Sequence, residues 1–329
     1  MSTPPVAPRA LGAQGPAVGP VGLGCMPMSS VYGPADEAGA HAALEAALAA
    51  GSTLWDTANV YGAGGNERLI APVLAQHRDE VVIATKFGFT PEGTISGHPD
   101  DARRCIDESL ERLGVDSVDL WYLHRVDPQV PIEETVGAMA AQVEAGKVRH
   151  LGLSDASADS PRRASSVHPI AALQSEWSLW TRDIEAEVLG AARACGTAIV
   201  AYCPLGRGML AGALNHVDEL GADDYRRTGP RFADEAFEAN RRAIAGFLDF
   251  ARERACTPGQ LAIAWLLAQG DDVIPIPGTR KAEHARENAA AAGLVLTHED
   301  CALLESLVPT PVGARYAREH AYGDSPPAS

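Results

Sequence analysis

The chain has 329 residues, of which 46% are hydrophobic and 21% charged, the proportions of an ordinary soluble globular protein. A net charge of -16 argues against a nucleic-acid partner, which needs a positive surface to replace condensed counterions. No apolar run approaches the roughly 20 residues of a membrane helix, so no membrane partner is expected either.

The first residues, MSTPPVAPRALGAQGPAVGP, carry neither a basic n-region nor an apolar core, so no secretory signal is expected. The cysteines (Cys25, Cys105, Cys195, Cys203, Cys256 and Cys301) are scattered without a CxxC pair. They read as reduced thiols of a cytoplasmic protein, with no metal site.

Residues 1–20, rich in Pro, Gly and Ala, are expected to be a flexible or weakly ordered lead-in. Val21–Gly24 is a short apolar run, followed by a loop with Met28 and Tyr32. Asp36–Ala50 reads as a helix closed by Gly51. Then comes GSTLWDTANVYG, a buried strand from Ser52 to Trp55 that delivers Asp56 at its end, with Tyr61 five residues later. A helix over about Asn66–Gln76 precedes the run Val81–Thr85, which ends on Lys86. The helix Asp101–Leu113, with Ile106, Leu110 and Leu113 at helical spacing, leads to the strand Val118–Leu123 and His124.

After a helix Ile132–Ala145, Val148–Leu153 is a strand ending on Ser154 and Asp155. A short helix Ser160–Val167 and a strand Ile170–Leu173, ending on Gln174, come next. The helix Ile184–Ala194 precedes a seventh strand, Ala198–Tyr202. The stretch from CPLGRGMLAG to about Arg231 is longer than ordinary connections, and such loops are functional or mobile. Helices Glu235–Ala255 and Pro258–Gln269, the apolar run Val273–Ile276 and a helix Lys281–Ala291 complete the alternation. Thr297–Leu307 is an extra capped helix, and residues 311–329 form a C-terminal tail.

Eight strand–helix units with no composition break imply parallel strands joined by right-handed crossovers. The expected fold is α/β, a single-domain (β/α)8 TIM barrel over residues 21–310, with a long loop after the seventh strand and an extra C-terminal helix. An open doubly wound sheet is the alternative. In such barrels catalysis sits at the C-terminal ends of the strands, where Asp56, Lys86, His124, Ser154, Gln174 and Tyr202 all fall.

A carboxylate buried at a strand end needs a cation or hydrogen bonds to answer its desolvation. Lys86 is the candidate, and an ammonium there would also lower the energy of a phenolate at Tyr61. Tyr61 would then be a proton donor and His124 a hydrogen-bond donor to a carbonyl oxygen, machinery suited to hydride reduction of a carbonyl. No side chain supplies a hydride, so a cofactor is required. Ser154, Asp155 and Gln174 offer groups for a carboxamide, and Tyr202 an aromatic face. The Pro204–Gly208 turn offers backbone N–H groups for a pyrophosphate. Gly206, Gly208 and Gly212 do not have the spacing of a Rossmann fingerprint. Pro277–Lys281, with Thr279, Arg280 and Lys281 at a helix start, is a ready anion site; two adjacent cations would suit a 2′-phosphate. Each of these residues alone also has a plain structural reading as a turn cap, a solvated lysine, a satisfied core histidine or a polar helix start.

The chain resembles the aldo-keto reductase superfamily from about Gly22 to Leu307. The resemblance is carried by GLGCM (22–26), DTANVYG (56–62), NERLI (66–70), VVIATKFG (81–88), SLERLGVDSVDLWYLHRVDP (109–128), EAGKVRHLGLSDAS (144–157), QSEWSLWTRDIE (174–185), AYCPLGRGML (201–210) and PIPGTRKAEHARENAAA (275–291). It is most similar to the bacterial and plant branch whose fifth strand ends in GLS, an acidic residue, Ala and Ser. The resemblance implies a catalytic tetrad of Asp56, Tyr61, Lys86 and His124. It implies NADPH/NADP+ as cofactor, with its carboxamide on Ser154, Asp155 and Gln174, its nicotinamide on Tyr202 and its pyrophosphate at Leu205, Gly206 and Arg207. The adenosine phosphate would meet Thr279, Arg280 and His284, the adenine Glu287 and Asn288; Gly24, Met26 and Gly278 join the cofactor set. Position 155, often Asn in the superfamily, is Asp here. The lead-in before Val21 is unusually rich in Gly and Pro for the hairpin that closes the barrel floor in the family.

The expected activity is therefore NADPH-dependent reduction of an aldehyde or ketone to an alcohol, on a small-molecule carbonyl substrate held near Met28, Tyr32, Phe87, Arg125 and Trp180. Trp55 is a further aromatic near the mouth, whose strand parity also allows it to face outward. The alternatives are a nucleotide-binding regulatory protein resembling potassium-channel β subunits, with little turnover, and a barrel lyase or isomerase working without nicotinamide. Substrate identity, the direction of reaction and a homo-oligomeric state are left open.

Overall fold

The computed structural model describes residues 7–29, 31–33, 36–90 and 92–316. It opens with a hairpin, β1 (Arg9–Ala10) antiparallel to β2 (Ala17–Val18). The lead-in expected to be loose is corrected over this stretch. Leu11 and Val18 are fully buried, so apolar side chains hold a Gly/Pro-rich segment that local propensity would leave free. Residues 1–6, and 317–329 of the expected tail, lie outside the described residues.

Eight parallel strands follow: β3 (Leu23–Gly24), β4 (Leu54–Asp56), β5 (Val82–Phe87), β6 (Val118–Leu123), β7 (Val148–Ser154), β8 (Ile170–Glu176), β9 (Ala198–Tyr202) and β10 (Val273–Pro275). Each pairs with the next in chain order. The first and last meet through Gly22 N–H to the Pro275 carbonyl (2.9 Å) and Gly24 N–H to the Pro277 carbonyl (3.2 Å). The sheet is closed, and the open doubly wound alternative falls. Glycine is needed at this seam: a Cβ on Gly24 would lie 2.9 Å from the Ile276 oxygen, and one on Gly278 2.7 Å from the Pro27 ring.

The connecting helices are α1 (Glu37–Ala49), α2 (Gly65–Leu74), α3 (Pro99–Leu113), α4 (Ile132–Glu144), α5 (Ser160–Ser165), α6 (Val188–Ala194), α7 (Asp234–Ala243), α8 (Ala245–Glu253), α9 (Pro258–Leu267) and α10 (Ala282–Ala290), with α11 (His298–Leu307) beyond the barrel. Asp36 caps α1 and Thr297 caps α11 by accepting backbone N–H groups. The single helix expected over 235–255 is two, meeting at Ile244. None of the helices among the described residues is long and apolar enough to cross a membrane.

Alternation along the strands sorts side chains into two layers. Leu54, Ala84, Leu120, Tyr122, Ala172, Ala198 and Val200 fill the barrel, and Leu11 and Val18 plug its floor from below. Trp55, Ile83, Phe87, Trp121, Leu123, Leu153 and Leu173 face the helices. The inward set leaves Asp56, Lys86, Gln174 and Tyr202 at the upper rim.

Candidate active site

β4 ends on Asp56, and β5 carries Lys86 two residues beyond Ala84, the register partner of Asp56. Both side chains are buried. The Lys86 ammonium pairs with Asp56 Oδ1 and donates to the Thr57 carbonyl at 2.8 Å and to Tyr61 Oη at 3.4 Å. An ammonium has three N–H groups, so all are engaged and the phenol oxygen is an acceptor. Gln174 Nε2 donates to the other Asp56 oxygen at 2.7 Å. Immediately after Tyr61, Gly62, Ala63 and Gly64 all have left-handed φ of 56°, 50° and 83°. This tight turn links the phenol-bearing residue to α2, which begins at Gly65.

The electrostatics correct one expectation. Burial pushes the Tyr61 phenol up, Lys86 pulls it down and Asp56 raises it; burial prevails, so its pKa lies above the ordinary phenol value. Desolvation of the phenolate itself outweighs the favourable contact with the Lys86 ammonium. Lys86 also sits above its usual value: burial works against its charge, but Asp56 and Tyr61 overcome it. His124 follows β6 and contacts the edges of Tyr61 (ring centroids 5.9 Å) and Phe89 (5.0 Å). Burial, then Arg125 and Lys86, hold it well below the usual histidine range. It is therefore neutral at physiological pH.

A second polar group lines the adjacent rim. Arg125 Nη2 pairs with Asp155 Oδ2 at 2.8 Å and Nη1 donates to the His124 carbonyl at 2.7 Å. The Tyr202 hydroxyl donates to the same Asp155 oxygen at 2.6 Å. Asp155 Oδ1 and Arg125 Nε are buried without partners, an acceptor and a donor on the two members of one ion pair. Asp155 has φ +45°, and Cys203 and Arg207 are also left-handed at +51° and +56°. Such backbone strain in non-glycine residues concentrates at functional sites.

Beyond β9, residues 203–233 run through four short 3-10 turns. Arg226 ties Asp224 to the Arg207 carbonyl (3.1 Å), and Arg227 binds the carbonyls of Leu220 and Gly221. Glu176, at the end of β8, faces Arg207 Nη2 (3.4 Å) and Arg231 Nη1 (3.8 Å). Arg315 and Tyr316, from the segment after α11, reach the same wall: the Tyr316 and Tyr202 hydroxyls are 3.0 Å apart. Sequence reading missed Glu176, Arg231, Arg315 and Tyr316, because nothing in their spacing marks them. The loop, expected to be functional or mobile, is pinned by arginines.

At the end of β10, Thr279 is buried and Arg280 donates to the carbonyls of Gly33 (2.9 Å) and Tyr32 (3.2 Å), just ahead of α10. Glu287 accepts from Thr257 Oγ1 (2.7 Å), Asn288 is buried and His284 is largely exposed. Gly24 and Gly278 form the seam, and Met26 lies in the turn after β3. Leu205 and Gly206 open the turn at Arg207.

The proposed substrate wall is corrected in part. Phe87 stacks on Trp121 (centroids 4.5 Å) in the helix-facing layer, because it is one residue out of phase with Lys86. Trp55 and Met28 belong to that layer too. Trp180 is buried against Gly206 and Phe232. Arg125 borders the tetrad, and the Tyr32 ring lies beneath Arg226 (4.9 Å).

Comparison with known proteins gives a consistent picture. A model of the aldo/keto reductase family matches residues 20–309. The chain is 42% identical over 319 residues to probable aldo-keto reductase 1 of Glycine max, covering 95% of this chain and 91% of that protein. It is 40% identical over 327 residues to the NADP(+) aldo-keto reductase yakc of Schizosaccharomyces pombe, covering 93% and 95% respectively. Among solved structures, the glycerol dehydrogenase of Gluconobacter oxydans superposes with a TM-score of 0.84 at 29% identity, covering 94% of this chain and 98% of that one. An aldo/keto reductase from Klebsiella pneumoniae, solved in complex with NADP and acetate, gives 0.75 at 29% identity, covering 95% and 99%.

Proposed function

Because the chain belongs to the aldo/keto reductase family, we propose that it reduces an aldehyde or ketone with NADPH, with Tyr61 as the proton donor. The observation that carries this reading is the use of Lys86. Its three N–H groups go to Asp56, the Thr57 carbonyl and Tyr61 Oη, so the phenol keeps its own O–H for an outside acceptor. A neutral His124 beside it is a hydrogen-bond donor that orients a carbonyl oxygen without competing for the proton.

Asp155 Oδ1 and Arg125 Nε, unpartnered and buried, complement a carboxamide, which offers one acceptor and an N–H donor pair. Ser154 and Gln174 adjoin them, and Gln174 links that side of the mouth to Asp56. The turn at Leu205–Arg207 would take the diphosphate. Thr279, Arg280 and His284 would take a 2′-phosphate, with Glu287 and Asn288 at the adenine. When bound, the dinucleotide supplies the hydride. The protein's own part is to hold the carbonyl at His124, deliver the Tyr61 proton to its oxygen and stabilise the resulting phenolate through Lys86.

Tyr61→Phe is the decisive variant. Carbonyl reduction across a panel of aldehydes should fall by about 10²–10⁴-fold, while NADPH affinity, read by fluorescence titration, stays as in the parent. Unchanged turnover would remove Tyr61 from the role.

A further inference from the structure

After α11 the chain turns back over the barrel mouth as a strap, residues 311–316. Asn240 of α7 holds it at both polar atoms of Val312, donating to the carbonyl (3.0 Å) and accepting from the N–H (2.7 Å). Arg231 Nε donates to the Gly313 carbonyl at 3.3 Å. This docking carries Arg315 into a small cavity lined by Glu176, Trp180, Gly206, Arg207, Gly229, Arg231, Phe232 and Arg315. Three guanidiniums there face one carboxylate, an excess of two positive charges inside a chain of net charge -16.

Arg315 is the least satisfied of the three. It is 4% exposed, yet its Nε and Nη1 are buried without hydrogen-bond partners. Leaving two guanidinium donors desolvated and unpaired is costly unless the site is built for an acceptor. Arg207 ends the contact path of Glu176 at only 3.4 Å, and Arg231 uses its Nη1 on Thr181 at 2.7 Å. Thr181 Oγ1 in turn donates to Glu176 Oε1 at 2.9 Å, so the carboxylate is served by Thr181, Arg207 and Arg231.

We infer that Arg315, with Arg207 and Arg231, forms a dianion site for the diphosphate of the dinucleotide, and that the C-terminal strap is a part of cofactor binding. The inference rests on the reading above that Arg207 lies at the diphosphate. Guanidinium forks match phosphate oxygens in pairs, which an ammonium does not. The cavity has room for about one water-sized group, so a single phosphoryl oxygen would enter it while the rest of the diphosphate stays outside, at the Leu205–Arg207 turn.

The test is equilibrium binding to the full-length protein of four probes: NADPH, NADH, ADP-ribose and 2′-AMP. Arg315→Ala should weaken NADPH, NADH and ADP-ribose by a common factor of about tenfold or more, and leave 2′-AMP untouched. Arg280→Ala should do the reverse, weakening NADPH and 2′-AMP while sparing NADH and ADP-ribose. Arg315→Lys, with its melting temperature checked against the parent, controls for folding and should recover part of the affinity. Unaltered ADP-ribose affinity in Arg315→Ala would overturn the inference, as would tighter binding, which would make the strap an occluder. Equal loss of 2′-AMP would also overturn it. Should the parent bind none of the dinucleotides, the reductase reading fails. Inorganic pyrophosphate then decides the site alone, supporting it if bound by the parent and lost in Arg315→Ala, and sinking it otherwise.

Discussion

Tyr61 keeps its proton because it is buried, and the Lys86 charge only moderates that effect. The direction fixes the pH behaviour. On the proposed role of Tyr61 as proton donor, reduction needs the phenol protonated, so its rate should be flat through neutrality and fall only above about pH 10, the ordinary phenol value, because the folded value is raised. Oxidation of the alcohol needs the phenolate and should rise with pH toward the same limit. Lys86→Met removes the charge that lowers the phenol. Its alkaline limb should therefore move further up while turnover falls by about 10²-fold. Rate profiles for both directions check this, and a limb moving down would remove Lys86 from its tuning role. Because burial and Arg125 keep His124 neutral, no break near the usual histidine value of about 6.5 is expected from it.

At the scale of elements, the informative pieces are the two that local sequence left unassigned. The β1–β2 hairpin inserts Leu11 and Val18 under the barrel, and the strap brings Arg315 and Tyr316 over it. The hairpin is far from the tetrad end, so the two should separate in experiment. Leu11→Ala, at a fully buried site, should cost about 2–5 kcal/mol in denaturant unfolding without altering the KM for NADPH or carbonyl. A loss below 1 kcal/mol (about the scale of a surface change) would show that the hairpin does not seal the floor. Long loops follow the same logic. Residues 203–233 are held because Arg226 and Arg227 tie the loop to its own carbonyls and to Asp224, and Arg231 reaches Glu176 at the end of β8.

For the molecule as a whole, closure decides function. Only when β3 and β10 meet do Asp56, Lys86 and His124 share a rim with Ser154, Gln174 and Tyr202. Gly278→Ala places a Cβ against Pro27 at 2.7 Å, and overpacking of this kind costs about 1–3 kcal/mol. A lowered melting temperature in that variant, absent from an alanine at the half-buried Gly137, where a Cβ meets nothing within 4 Å, would locate the strain at the seam. Equal melting temperatures would deny the seam its steric role.

The strand and helix sequence was readable because its signals are local. Alternation set which residues face inward, Gly51 and Gly114 stopped helices through their left-handed φ, and Asp36 and Thr297 capped them. The same parity placed Asp56, Lys86 and Gln174 on one side of the sheet and, read strictly, places Phe87 on the other. The family motifs supplied the tetrad and the proposed cofactor set. Three things were illegible: the raised phenol, the Arg125–Asp155 clamp on Tyr202, and the arginine cavity around Glu176. Each depends on desolvation or on side chains from segments far apart in the chain, and those are properties of closure. Sequence alone determined the alternation and which ionisable residues stand at strand ends; the tertiary structure decided which charges are buried together, because burial strength is set by packing and not by neighbours in the chain.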